Sequence, residues 1–151
     1  MFDLRSLYQQ VIVDHSKAPR HFGVLTPCSH DADGHNPLCG DHLHVYLQVA
    51  NDGQIVDASF EGEGCAISVA SASMMTEAMI GHTVTEFEAL FDRFQKMVTS
   101  PVDEALDDEA MGKLAVLGGV REFPSRIKCA ILCWHTVKSA ITAQGGVAHT
   151  E

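Results

Sequence analysis

A chain of 151 residues that is 46% hydrophobic, with a mean hydropathy of +0.04, can bury one real core and is too short for a multidomain machine. Charged residues make up 20% and are spread along the chain, which excludes the low-hydrophobicity, charge-biased mixture of a disordered protein. Ten Lys and Arg against twenty Asp and Glu leave a net charge of -10, which repels nucleic-acid phosphates and anionic lipid, so neither a nucleic acid nor a membrane is an expected partner.

From Asp3 to His15, Leu4, Leu7, Tyr8, Val11 and Ile12 recur at helical spacing, predicting an amphipathic helix that stops before Ala18-Pro19. The proline- and glycine-containing stretch that follows reads as an extended connector anchored by Phe22, Val24 and Leu25. Leu43, Val45, Leu47 and Val49 alternate with polar residues, and Ile55, Val56, Ala58 and Phe60 follow the turn Asn51-Asp52-Gly53; the two runs predict an antiparallel hairpin, with His30 to His35 as a third strand. After Gly62 and Gly64 the period becomes helical. Ile67, Ala70, Met74 and Ala78 share one face of a helix entered at Cys65 and ended at Gly81.

Thr83 with Glu86 three residues on is a capping box for a helix through Phe87, Leu90, Phe94 and Met97, ended by Ser100-Pro101. An acidic stretch from Asp103 to Glu109 leads into a weaker helix through Met111, Leu114 and Leu117, closed by Gly118-Gly119. The last helix is expected from about Ser125, its N-cap, to Ala143, stopped by Gly145-Gly146 and burying Ile127, Ala130, Ile131, Trp134, Val137 and Ile141. Strands first and helices afterwards predict an α+β fold, a small antiparallel sheet with helices on one face, in a single domain over residues 1–151.

The chemistry sits at the ends of these elements. Asn36-Pro37-Leu38-Cys39-Gly40-Asp41 puts a thiol and a carboxylate two residues apart, with Pro fixing one side of the turn and Gly freeing the other. Cys65 follows Gly-Glu-Gly at a predicted helix start, where free backbone N–H groups and the helix dipole favour a thiolate. Cys129 falls in the expected first turn of the last helix, beside Arg126 and Lys128. Three thiols with Asp41 make an S3O donor set suited to tetrahedral zinc or an iron–sulfur cluster. Their separations of 26 and 64 residues lack the paired Cys-x-x-Cys knuckles of zinc ribbons, so spacing alone leaves metal binding and plain burial equally open.

Bland readings cover the rest. No apolar run reaches the roughly 18 residues that span a bilayer, and MFDLRSLYQQ lacks the basic-then-apolar order of a signal peptide, so a cytoplasmic, reducing setting without disulfides is expected. In it Cys28 and Cys133 are expected as packed residues. Met74, Met75 and Met79 read as core, and His42 and His44 as decoration of a solvated strand face.

Taken together, Asn36 to Asp41, Gly64-Cys65-Ala66-Ile67-Ser68 with Ala70 to Met75, and Arg126-Ile127-Lys128-Cys129-Ala130 resemble the iron–sulfur cluster assembly scaffold family (NifU N-terminal, IscU-like) over nearly the whole chain. Within it the chain is similar to the SUF-type U subtype (SufU): the segment between Cys65 and Cys129 is long, and Lys128 stands where the ISC-type scaffold carries a histidine. The resemblance implies a zinc ion held by Cys39, Asp41, Cys65 and Cys129, and a role as acceptor of persulfide sulfur from a PLP-dependent cysteine desulfurase, passing it to downstream Fe-S assembly proteins. Zinc with three thiolates and a carboxylate carries a formal charge of about -2, which Arg126 and Lys128 would help balance. Cys39, on a Pro/Gly-flanked loop, is the expected sulfur acceptor, with Arg126 in support.

Three other readings compete. One is a scaffold that builds a [2Fe-2S] cluster on the same four ligands. Another is a purely structural zinc module. The third is a cysteine hydrolase using Cys39 or Cys129 with His42 as base, for which no nucleophile elbow or oxyanion loop is present.

Overall fold

The computed structural model describes residues 4–36, 40–101, 111–143 and 147–149. It begins with helix α1 (Leu4–Lys17), followed by three strands, β1 (His30–Asn36), β2 (Asp41–Val49) and β3 (Ile55–Glu63). Helices α2 (Ala66–Met79) and α3 (Val84–Thr99), a 3-10 segment (Gly112–Glu122), helix α4 (Pro124–Ala143) and strand β4 (Val147–His149) complete it. Among the described residues no helix is long and apolar enough to cross a membrane.

The three expected strands form two antiparallel ladders, from His30↔Leu47 to Asn36↔Asp41 and from His42↔Glu63 to Val49↔Ile55. β4 adds what the sequence did not suggest, a short strand parallel to β1, making the order β3-β2-β1-β4. The period of two sorts the residues: Ala32, Leu43, Val45 and Leu47 are buried among the helices, while Asp31, Asp33, His42, His44 and Tyr46 face outward.

Trp134 of α4 organises the core. Its ring stacks on Phe94 at 4.4 Å and on Phe87 at 5.6 Å, and its indole N–H donates to Ser71 Oγ at 3.2 Å, joining α4 to α3 and α2 through one side chain. Small residues make α2 a close-packing helix: Ser68, Ala70, Ser71, Ala72 and Ser73 are all buried, with Met74, Met75 and Met79 in the core as expected. The capping box of α3 is present, Glu86 N–H donating to Thr83 Oγ1 and Thr83 N–H to Glu86 Oε1. On α1, Val11 and Ile12 pack against the core, and His15 Nδ1 lies 2.7 Å from Ser73 Oγ. The side chains of residues 4–8, the acidic stretch from Asp103 to Glu109 and the Gly145-Gly146 stop lie outside the described residues.

Three local expectations are corrected. The connector is held mainly by its backbone, Gly23 N–H donating to Phe60 O and Phe60 N–H to His21 O, with Phe22 edge-on to Phe60; Val24 is 63% exposed and anchors nothing. Gly118-Gly119 does not stop its helix. The 3-10 segment runs through both glycines because Leu114, Leu117 and Val120 on either side are buried, and Arg121 fastens its end to Ser100 Oγ and Pro101 O. The last helix starts at Pro124, whose fixed φ and missing N–H suit a first helical position, so Ser125 is not the N-cap and Cys129 sits in the second turn.

Candidate metal centre

Three chain segments converge at one end of the sheet. The β1–β2 hairpin closes with Asn36 opposite Asp41, and Gly40 beside it has φ of +69°, a left-handed conformation that glycine adopts without strain. Asp41 opens β2 with its side chain inward and fully buried. Cys65 is the residue before α2, and Cys129 projects from α4 into the same space, also fully buried.

Asp41, Cys65 and Cys129 each offer a ligand atom, and these atoms lie within 4.8 Å of one another. Tetrahedral zinc with bonds of about 2.3 Å to sulfur places its ligands about 3.8 Å apart, so a contraction of about an ångström completes three corners. Cys39 lies outside the described residues.

The surroundings suit a cation. Asp41 Oδ1 accepts from the Cys65 N–H at 2.9 Å, and Oδ2 from Asn36 Nδ2 at 3.3 Å. The same Asn36 Nδ2 lies 3.8 Å from Cys129 Sγ. A fully buried carboxylate beside two thiols is a donor set that a cation stabilises. Gly64 keeps the space open, since a Cβ there would stand 2.8 Å from Asp41 Oδ1 and 3.0 Å from Ser68 Oγ. Two buried polar atoms flank the cluster without a hydrogen-bond partner among the described residues, Asn36 Oδ1 and Ser68 Oγ.

Arg126 is exposed on the first turn of α4 with its guanidinium against both sulfurs. The charge of Cys65, and then hydrogen bonding to Cys129, hold it above its ordinary pKa. Lys128 is half-buried, and no contact between it and the cluster is found among the described residues.

The remaining cysteines separate. Cys133 is fully buried one turn beyond Cys129, and burial pushes its thiol up to about 12 despite a contact with Ser71 Oγ. Cys28 is exposed, against the expectation of a packed residue. His42 faces outward with Nε2 3.5 Å from Asp33 Oδ1, on the side of β2 opposite Asp41, so it cannot serve as the base of a hydrolase built on Cys129. His44 does more than decorate the outer face: Nδ1 lies 2.5 Å from Asp33 Oδ1 and Nε2 2.6 Å from Asp31 Oδ2.

Asn36 and Ser68 were not legible as site residues. The available signal was their place inside the two cysteine motifs, and the structure adds their burial against the cluster.

Comparison with known proteins agrees with this geometry. The family model described as NifU-like N terminal domain matches residues 7–142. A protein of Bacillus subtilis (strain 168) named zinc-dependent sulfurtransferase SufU is 42% identical over 146 residues, 95% of each chain. One of Streptococcus pyogenes serotype M1 named iron-sulfur cluster assembly scaffold protein IscU is 40% identical over 97% of this chain and 89% of its own. Among solved structures, a nitrogen-fixing NifU-like protein (N-terminal) from Brucella abortus superposes with a TM-score of 0.79 at 25% identity, covering 91% of this chain and 94% of the other. A SUF-system protein from Fervidobacterium islandicum AW-1 superposes at 0.81 with 31% identity, over 93% of this chain and all of the other.

Proposed function

The chain belongs to the NifU-like N-terminal domain family, and from that premise we propose that it is a zinc-bound acceptor of persulfide sulfur from a PLP-dependent cysteine desulfurase, working in iron–sulfur cluster assembly. The observation that carries the reading is the convergence of Asp41, Cys65 and Cys129 in a chain closely similar to a zinc-dependent sulfurtransferase. Cys39, Asp41, Cys65 and Cys129 would hold the ion. Zinc supplies positive charge that keeps its cysteines as thiolates at neutral pH.

The chain's own residues perform the transfer. The Cys39 thiolate attacks the outer sulfur of the desulfurase persulfide, a Cys39–sulfur bond forms, the donor's S–S bond breaks, and the donor cysteine leaves as a thiolate. No oxidant or reductant is consumed. Asp41, held by Cys65 N–H and Asn36, stays in place while Cys39 moves, and Arg126 offsets the negative charge gathered at the site. The sulfur then passes to downstream Fe-S assembly proteins, in a single cytoplasmic domain over residues 1–151.

The name of the Streptococcus relative supports a second reading, a scaffold carrying a [2Fe-2S] cluster on the same ligands. Metal analysis of protein purified without a tag, followed by incubation with a cysteine desulfurase and peptide mass analysis of trapped persulfide, separates the two. One zinc per chain with label on Cys39 is expected. Label on Cys65 or Cys129 instead would remove the Cys39 assignment. Absence of persulfide together with a cluster formed on reconstitution would replace the acceptor reading with the scaffold. Stoichiometric zinc in a variant with Cys39, Cys65 and Cys129 all changed to Ser would overturn the ligand set.

A further inference from the structure

We propose that Asn36 is a positioning residue of the metal centre, its carboxamide N–H2 group bridging the Asp41 carboxylate and the Cys129 sulfur so that both face the ion. The inference rests on the zinc reading above. Asn36 is the last residue of β1, fully buried and directly opposite Asp41 in the ladder. Its Nδ2 carries two hydrogens and has two acceptors, Asp41 Oδ2 at 3.3 Å and Cys129 Sγ at 3.8 Å.

Asp41 Oδ1 is already fixed from the other side by the Cys65 N–H, beneath the bare Cα of Gly64. That leaves Oδ2 as the freer oxygen, and Asn36 is what restrains it. The opposite end of Asn36 argues the same way. Among the described residues Oδ1 is buried without a partner, a cost that a side chain chosen for packing alone would avoid by being apolar. Reversing the amide would point its oxygen at the Asp41 carboxylate, two acceptors facing each other, so the orientation is set by Asp41. Asn36 also ties together segments 93 residues apart, giving the site a rigid edge between the hairpin and α4.

The test compares Asn36→Leu, which keeps the branched shape and removes both donors, with Asn36→Thr, which keeps one donor on a smaller side chain. Zinc affinity is read by competition with a chromophoric chelator, ligand geometry by the d–d bands of the fully loaded cobalt(II) protein, and folding by circular dichroism of the metal-free state. Asn36→Leu should lose about 10- to 100-fold in zinc affinity and shift the cobalt bands, with Asn36→Thr between it and the parent. In an Asp41→Ala background the loss from Asn36→Leu should shrink, because the residue acts partly through Asp41. Parent-like affinity and cobalt bands in either folded variant would overturn the inference while leaving the zinc reading intact. A parent protein that binds neither ion would overturn both.

Discussion

Gly34 of β1 lies directly against Thr136 of α4: a Cβ built on Gly34 would stand 1.9 Å from Thr136 Oγ1 and 3.2 Å from Leu132 Cδ1. This contact sets how closely the helix carrying Cys129 approaches the strand that ends at Asn36. Gly34→Ala should therefore destabilise the protein by about 1–3 kcal/mol through overpacking, read as a lower urea midpoint. Thr136→Ala in the same chain should recover part of the loss. Equal stability of Gly34→Ala and the parent would show that α4 can shift without cost.

The clamp on His44 predicts a pH dependence. Both ring nitrogens face carboxylates, an arrangement only the imidazolium can satisfy with two N–H donors. Burial alone would lower its pKa, but the hydrogen bonds with Asp33 and Asp31 outweigh burial and raise it above 6.5. A raised folded value means the folded state holds the proton more tightly than the unfolded chain does. The stabilisation is then complete below about pH 6.5 and is lost as pH rises through the folded value. His44→Gln should be less stable than the parent at pH 6, and the gap should close toward pH 9 in urea titrations. A gap that does not change with pH would remove the imidazolium.

The two cysteines outside the metal centre should differ in reactivity. A maleimide at neutral pH should label exposed Cys28 in the native protein and spare Cys133, whose thiol is buried and held protonated up to about 12. Cys28→Ala and Cys133→Ala should both leave persulfide transfer nearly intact, with a packing loss of about 1 kcal/mol for Cys133 alone. Loss of transfer in either variant would reopen the choice of acceptor.

Arg126 touches the sulfurs without being able to coordinate a metal while protonated. Arg126→Ala should keep stoichiometric zinc yet weaken stimulation of the desulfurase, and Arg126→Lys should restore part of it. Unchanged stimulation in Arg126→Ala would reduce the residue to a solvated helix start.

Periodicity made most elements readable, because Leu43, Val45 and Leu47, or Phe87 and Phe94, are buried through the spacing that revealed them. β4 was not readable, since three residues carry no period and its pairing depends on where β1 already lies. The continuation through Gly118-Gly119 was hidden because the local preference of glycine to end a helix is overridden by burial of Leu114, Leu117 and Val120. Cys28 defied the usual burial of free cysteine because its segment crosses the surface. Asp41, Cys65 and Cys129 stood out by chemical type. Asn36 did not, because an asparagine beside a proline looks like a turn residue until the hairpin closes around it.

The distance along the chain between Asn36 and Cys129 couples the metal site to the global fold. Their contact spans 93 residues, so making it requires the hairpin and α4 to be brought together from far apart in the chain. The pocket is absent from the unfolded chain, so the free energy of ion binding adds to the free energy of folding. Ion capture should follow the recovery of tryptophan fluorescence, since Trp134 reports the same docking of α4.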